Sequence, residues 1–254
     1  MKVPAIALNT FKEAKRDRIL YLLLFFAAIS IIFSRLLAVL TVGDRVKIIK
    51  DIGLASLSFF GVLMAILIGT GLVYKEIDKK TIFTLLSKPI QRYQFLLGKF
   101  FGLVLTIFIM LALMSLIFLA LIFFHNSKIE WGMLAAIFFI FFELVLITAV
   151  AILFSCFSTP ILSSIYSLCF FLIGHLSWGL EALIKKMRPG VGRILVRFLY
   201  MVLPDLENFN FRTEVVYKLP IPIQSYLYST AYGIFYTIFI LALAMLVFRR
   251  RDFI

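Results

Sequence analysis

The main pattern along the chain is a series of long apolar runs, separated by shorter segments that carry charge. Six of these runs reach the roughly 20 residues that a helix needs to cross a bilayer. They cover residues 19–40, 52–74, 99–124, 132–155, 160–180 and 226–248. A helix satisfies its own backbone hydrogen bonds in lipid, whereas an isolated strand does not. The pattern therefore predicts an all-α membrane protein, a six-helix transmembrane bundle with both chain termini on the same side.

The N-terminal segment, residues 1–18, has a pattern of its own. Ala7, Phe11 and Ala14 share one stripe of a helix, and lysines and arginines crowd the end of the segment. This predicts a short amphipathic helix that lies on the membrane surface. The alternative is a disordered tail.

The longest connection, residues 181–225, exceeds the usual length of a loop and is rich in apolar residues. The stretch VGRILVRFLYMVLP at residues 191–204 places Arg193 and Arg197 four positions apart among apolar side chains. That spacing is typical of an interfacial helix. We therefore expect ordered helices that cap the outer face of the bundle.

The segment KEIDKKTIFTLLSKPIQRYQFLLGK, residues 75–99, lies between the second and third apolar runs. Acidic residues near Glu76 favour a helix start, and Pro89 predicts that this helix stops just after Leu86. A second helix then continues into the third run. The apolar cluster of the first helix consists of Ile82, Phe83, Leu85 and Leu86. Part of it should pack on the bundle, and the rest either fills a groove on a soluble partner or lies on lipid.

The composition agrees with a membrane location. Of the 254 residues, 63% are hydrophobic and only 15% are charged, and the mean hydropathy is +1.07. The net charge of +13 indicates contact with anionic lipid rather than nucleic acid in such a chain. With the termini inside, the inner segments carry fourteen lysines and arginines and the outer segments eleven. This excess predicts that both termini are cytoplasmic.

Several polar residues fall inside the apolar runs. Glu143 lies in the middle of the fourth run, where a carboxylate is costly unless it faces protein or water. The fifth run is unusually polar and contains Ser163, Ser167 and His175. These residues indicate either a substrate or proton pathway, or hydrogen bonds that lock neighbouring helices together.

The motifs of common enzymes are missing from the sequence. It has no G-x-x-x-x-G-K-[ST], no H-E-x-x-H and no G-x-S-x-G. Within the apolar runs the sequence has one carboxylate and one histidine. These are too few to build a catalytic site from a nucleophile and its base. We expect no catalysis by this chain, no cofactor and no metal site.

The segment YKEIDKKTIFTLLSKPIQRYQFLLGKF resembles the connection between the second and third spans of ABC-type-2 permeases, the membrane subunits of ATP-driven exporters. The shared pattern consists of Glu76, Thr81, Leu85, Leu86, Pro89, Leu97, Gly98 and Lys99. Family members often have Gly before the Thr, where this chain has Lys80. LPDLENFNFR at 203–212 and FRRRDF at 248–253 are similar to the subfamily of the nitrous oxide reductase maturation permease.

This resemblance implies a single ABC-type-2 transmembrane domain over residues 1–254. Residues 1–18 would be a surface connecting helix, 75–98 a cytoplasmic coupling region, and 181–225 a set of extracytoplasmic gate helices. The residues that would contact the ATPase are Glu76, Ile77, Thr81, Ile82, Phe83, Leu85, Leu86 and Pro89. The outer gate would include Pro204, Asp205, Glu207, Asn208, Phe209 and Asn210.

The resemblance also implies the partners. Two copies of a cytoplasmic ABC ATPase would bind ATP and Mg²⁺, and a second, identical permease chain would complete the assembly in the prokaryotic cytoplasmic membrane. Some family members act through a periplasmic partner. The residues alone leave two other functions open: a secondary transporter or channel that needs no ATPase, and an intramembrane enzyme or scaffold. A secondary transporter predicts internal repeats, and no convincing repeat relates residues 1–125 to 126–254.

Overall fold

The computed structural model describes residues 2–40, 44–78, 91–125, 130–187 and 190–250, and within these ranges every regular element is a helix. The all-α prediction is confirmed. The ten α-helices described are α1 (Lys2–Lys15), α2 (Arg18–Leu40), α3 (Arg45–Asp78), α4 (Arg92–Phe124), α5 (Trp131–Ser155), α6 (Pro160–His175), α7 (Ser177–Lys186), α8 (Val191–Val202), α9 (Arg212–Tyr217) and α10 (Ile223–Arg250). A 3-10 helix at Leu206–Phe209 lies between α8 and α9.

Five of the described helices are long and apolar enough to cross a membrane: α2, α3, α4, α5 and α10. The predicted span at 160–180 is not one helix. Helix α6 ends at His175 after 16 residues, or about 24 Å, which is short of the roughly 30 Å hydrocarbon core. The chain turns at Leu176, and the Ser177 hydroxyl donates a hydrogen bond to Asp205, 2.6 Å away. This contact with the following segment holds the turn, which apolar periodicity cannot reveal.

Helices α3 and α5 form the centre of the bundle and are the most buried of the five. They run parallel, with glycines of α3 against side chains of α5. A Cβ at Gly61 would lie 2.7 Å from the Leu144 side chain, and a Cβ at Gly69 would lie 3.2 Å from that of Ala151. The absence of side chains at these positions lets the two helix backbones approach closely.

Helix α1 packs against the beginning of α4, within the predicted 1–18 region. A Cβ at Gly98 would lie 2.6 Å from Ile6, and Lys99 pairs with Glu13 at 3.2 Å. The end of α10 lies beside the same part of α4, because the Arg92 guanidinium donates a hydrogen bond to the Arg249 carbonyl at 2.8 Å. Both described termini therefore lie at one end of the bundle, which we call the α1 end.

At the opposite end of the bundle, ion pairs join helix α3 to the segments that connect other helices. Glu130 precedes α5 and accepts hydrogen bonds from Lys50 of α3 at 3.0 Å and from Lys218 at 2.9 Å. Arg212 pairs with Asp51 of α3 at 3.0 Å. The side chain of Lys50 is only 2% exposed, whereas Lys218 is largely exposed. Glu130 is thus the partner that compensates a buried ammonium group.

The different burial of these partners makes a testable prediction. Glu130→Gln should lower the free energy of unfolding by about 1–3 kcal/mol, because the buried Lys50 ammonium loses its charged acceptor. Lys50→Met removes the buried charge itself and keeps the aliphatic stem, so it should cost less than about 1 kcal/mol. Thermal unfolding of the purified variants in detergent measures both. Equal losses would contradict the assignment of Glu130 as the compensating group.

The effect of Glu130 should also depend on pH. Burial acts to raise the pKa of Glu130, but the hydrogen bonds from Lys218 and Lys50 outweigh it, and the pKa lies below its usual value. A carboxyl with a lowered folded-state pKa stabilises the fold above the unfolded-state pKa and loses that effect as the pH falls through the folded-state pKa. The difference between wild type and Glu130→Gln should therefore shrink on acidification.

Candidate functional site

A cavity of about 290 Å³ lies between α3, α5, α6 and the segment that follows the 3-10 helix. Its walls are mostly apolar and include several phenylalanine rings. Five polar residues also face it: Ser58, Glu143, His175, Asn210 and Arg212. A largely apolar cavity with a few convergent polar groups is the usual form of a small-molecule or ion site.

Glu143 is the most buried acidic group of this cavity. It stands twelve residues from each end of α5, so it lies about 18 Å from either end. Its side chain is 3% exposed and accepts hydrogen bonds from the Ser58 hydroxyl at 3.2 Å and from Nε2 of His175 at 2.8 Å. A carboxylate at this depth needs such partners, because an uncompensated charge in the bilayer is costly.

His175 connects the interior of the bundle to the segment at residues 204–210. It is the last residue of α6, which runs back along α5 after the turn at 156–159 and so brings the imidazole to the depth of Glu143. Its other ring nitrogen, Nδ1, lies 3.3 Å from Oε2 of Glu207. The predicted polar residues Glu143 and His175 therefore form one cluster, and the predicted gate residue Glu207 joins them.

The predicted gate residues form a compact turn against α7 and α10. The Asp205 side chain accepts a hydrogen bond from the Glu207 backbone N–H and so caps the 3-10 helix, while the Asp205 backbone N–H donates to the Tyr232 hydroxyl. Phe209 is buried beside Gly233 of α10. Of the remaining predicted gate residues, Pro204 is buried. The Asn208 carbonyl accepts a hydrogen bond from the Ser229 hydroxyl. The Asn210 side chain donates a hydrogen bond to Glu207 at 2.8 Å.

Glu207 is the charged end of this cluster that faces solvent. Its side chain is 44% exposed. The hydrogen bond with His175 lowers the pKa of Glu207 below its usual value, and the bond from Asn210 acts in the same direction. Glu207 therefore stays an anion at neutral pH and remains an acceptor for the imidazole.

Ser163 and Ser167 lie away from the cavity. Both are fully buried on one face of α6. The Ser167 hydroxyl donates to the Ser163 carbonyl, and the Ser163 hydroxyl has no hydrogen-bond partner within the described residues. Neither hydroxyl bonds to a neighbouring helix within the described residues, so the role of these two serines stays a prediction.

The sequence did not single out Ser58 or Arg212 as site residues. Ser58 lies two positions after Ser56, which instead bonds to Ser30 of α2 at 2.8 Å. Composition does not tell which serine of the run faces Glu143, because that depends on the rotation of α3. A weak signal existed, since a mid-span carboxylate requires donors at its own depth.

The predicted ATPase-contacting residues are only partly described. The backbone of α3 stays helical through Asp78, so Glu76 and Ile77 belong to its last turn, and the predicted start of a new helix near Glu76 is wrong. The others lie outside the described residues: Thr81, Ile82, Phe83, Leu85, Leu86 and Pro89.

The five bilayer-length apolar helices among the described residues define a multi-pass helical membrane protein. The family model described as ABC-2 family transporter protein matches residues 5–253, and the chain belongs to this family. It is therefore a membrane component of the permease type in an ABC transporter. No curated protein matches the sequence.

Proposed function

We propose that this permease subunit couples ATP hydrolysis on a separate ATPase subunit to the movement of a substrate, or of a conformational signal, across the membrane. The arrangement of the α1 end supports this. Helix α3 continues to Asp78 and α4 begins at Arg92, so the connection between them starts and finishes at the end of the bundle that holds α1 and Arg249. A soluble motor that contacts this end can act on α3, α4 and α1 together.

The α1 end faces the cytoplasm in this proposal, in the prokaryotic cytoplasmic membrane. The segments assigned to it carry the larger share of lysines and arginines, which favours the cytoplasmic side. The sequence has no P-loop, so ATP and Mg²⁺ would be held by the ATPase. Two ATPases and a second, identical permease chain complete the assembly, with the 75–98 region as the coupling element.

A finer assignment rests on two sequence segments. LPDLENFNFR at 203–212 and FRRRDF at 248–253 favour the nitrous oxide reductase maturation subfamily. The first segment contains the cap of the 3-10 helix and Glu207, which belong to the outer side of the molecule in the proposed orientation. We extend the proposal to a periplasmic partner that contacts this outer segment.

The coupling role predicts a loss of ATPase docking at the α1 end. Glu76→Ala and Leu86→Asp should each reduce the ATPase that copurifies by about tenfold or more, which is the effect of losing one strong interface contact. Matched controls lie at the opposite end, where Asp44 and Leu219 are exposed. Asp44→Ala and Leu219→Asp should keep copurification and ATP hydrolysis at the wild-type level. If both coupling variants copurify the ATPase fully and stimulate its ATP hydrolysis, the proposal is wrong.

One observation favours a second function. The break between α6 and α7 lies beside the mid-depth Glu143, and discontinuous helices near the bilayer midplane are typical of secondary transporters. A secondary transporter would move substrate on an ion gradient alone. Flux into proteoliposomes that contain only this chain and no ATP would support that function over the ATPase-driven one.

A further inference from the structure

The imidazole of His175, which lines the cavity, lies between two carboxylates. Nε2 of His175 is 2.8 Å from Oε1 of Glu143, and Nδ1 is 3.3 Å from Oε2 of Glu207. The three groups come from α5, α6 and the 3-10 helix. The contacts therefore join a membrane-spanning helix to the outer segment through a single ring.

The hydrogen atoms of this cluster can be counted. An ionised carboxylate only accepts hydrogen bonds, and a neutral imidazole has one N–H donor and one lone pair. A neutral His175 between two ionised carboxylates would place its lone pair against an oxygen. Both contacts are satisfied when the ring carries two protons, or when one carboxyl is protonated. Either arrangement holds one proton more than a neutral ring with two carboxylates.

We propose that Glu143, His175 and Glu207 form a binding site for one proton, which fastens the outer segment at Leu206–Phe209 to helix α5. With the proton bound, Nε2–H donates to Glu143 and Nδ1–H donates to Glu207. On release, the proton passes from Nδ1 to Glu207 and then to water, and no other bond changes. The ring keeps its bond to Glu143 and turns a lone pair toward Glu207, so the hydrogen bond that joins this segment to helix α5 through the ring is lost.

The exposed fraction of the side chain falls from Glu207 through His175 to Glu143. The Glu207 side chain is 44% exposed, that of His175 is 25% exposed and that of Glu143 is 3% exposed. Glu207 is thus the group through which water delivers or removes the proton. Glu143 is the buried charge that makes the protonated ring favourable, because a desolvated carboxylate strongly favours a cation beside it.

The other charged or titratable groups near the ring have partners of their own. Arg212 of α9 lines the same cavity and pairs with Asp51 of α3 at 3.0 Å. Asp205 accepts from the Ser177 hydroxyl at 2.6 Å, and Tyr232 of α10 accepts from the Asp205 backbone N–H at 2.8 Å. Helix α3 contributes Ser58, which donates to Glu143. Because Glu143 and Glu207 contact opposite nitrogens of the ring, a proton on the imidazole is the cation that this geometry fits.

The experiment measures the protonation of His175 directly. The chain has two histidines, and His125 lies in the turn after α4, outside the cavity. In the full-length His125→Gln protein, ¹⁵N-histidine NMR in detergent micelles therefore observes His175 alone. Both ring nitrogens should remain protonated at pH 7.5, and deprotonation should occur only at higher pH. A neutral ring at pH 7.5 in the folded protein would overturn the proposal.

Variants test the role of the exposed carboxylate in the same His125→Gln background. Glu207→Gln should weaken proton binding by about tenfold, which is a fall of about one unit in the titration midpoint. Asp44→Asn, at an exposed and remote carboxylate, should leave the midpoint unchanged. An unchanged midpoint in Glu207→Gln would exclude Glu207 from the site.

The fastening role has its own measurement, which does not depend on any ATPase. Amide hydrogen exchange of residues 206–209, corrected for the intrinsic pH dependence, should accelerate across the pH range in which NMR shows His175 losing its proton. In Glu207→Gln that pH-dependent step should move down by about one unit, together with the titration midpoint. A step that stays at its wild-type pH in Glu207→Gln, or exchange without any step in the wild type, would refute the fastening.

Discussion

Gly102→Ala should release helix α1 from helix α4. A Cβ at Gly102 would lie 2.5 Å from the Ala7 carbonyl oxygen and 2.6 Å from the Thr10 Cβ, and the first of these is backbone that no side-chain rotation can move. Overpacking of this kind costs about 1–3 kcal/mol, so the amide exchange of α1 should accelerate by roughly 10- to 100-fold. Hydrogen exchange measured by mass spectrometry on peptides from residues 2–15 reports the effect.

Gly71→Ala is the matched control. A Cβ at Gly71 would meet no heavy atom within 4 Å among the described residues. Both substitutions gain the same helix propensity, about 1 kcal/mol in favour of alanine, so a difference between them isolates the steric contact with α1. If both variants exchange like the wild type over residues 2–15, then α1 does not rest on Gly102. Both residues of the Lys99–Glu13 ion pair are unchanged in the two variants.

His175→Phe should be the most destabilising change at the cavity. It leaves Glu143 buried with the Ser58 hydroxyl as its remaining described donor. Removing one partner of a buried ion pair costs about 3–5 kcal/mol, because the other charge is left uncompensated. Thermal unfolding in detergent at pH 7.5 measures the loss.

The double variant His175→Phe with Glu143→Leu is the decisive comparison. Replacing both members of a buried pair with apolar side chains is often neutral or stabilising, so the double variant should recover most of the lost stability. The recovery separates an uncompensated charge from simple loss of packing against Phe171, whose ring lies 4.7 Å from that of His175. If the double variant is as unstable as His175→Phe, packing rather than charge is responsible.

Apolar periodicity and length were sufficient to predict the helical class and most ends of the apolar helices to within a few residues. The runs at 19–40 and 132–155 correspond closely to Arg18–Leu40 and Trp131–Ser155. The run at 160–180 was misread because its interruption depends on tertiary contacts, the packing of Leu206 on Gly174 and the hydrogen bond from Ser177 to Asp205. Helix α3 extends beyond its apolar run into polar segments, which hydropathy assigns to loops, whereas the helix that leads into the third run was predicted from the sequence.

Part of the cavity could be predicted because a carboxylate or a histidine inside an apolar run is unusual in itself. Glu143 and His175 were identified on this basis. Their direct contact, and the third member Glu207, could not be predicted, because they depend on how far α6 runs back along α5 and where the outer segment folds. The helix that packs on Gly98 and Gly102 could not be predicted from the sequence either. Two glycines four residues apart indicate a close approach of another helix but do not identify that helix.

The length of helix α3 determines how a displacement at one end changes along the bundle. It is one uninterrupted rod of 34 residues, about 51 Å long, and its ends lie well outside a hydrocarbon core of about 30 Å. Asp78 and Ser58 are twenty residues, or about 30 Å, apart on it, so tilting the rod by about 10° about Ser58 moves the Asp78 end by roughly 5 Å. A sideways displacement of that end therefore decreases along the helix toward the centre of the bundle. A large displacement of the Asp78 end thus becomes a small change in the distance between Ser58 and Glu143.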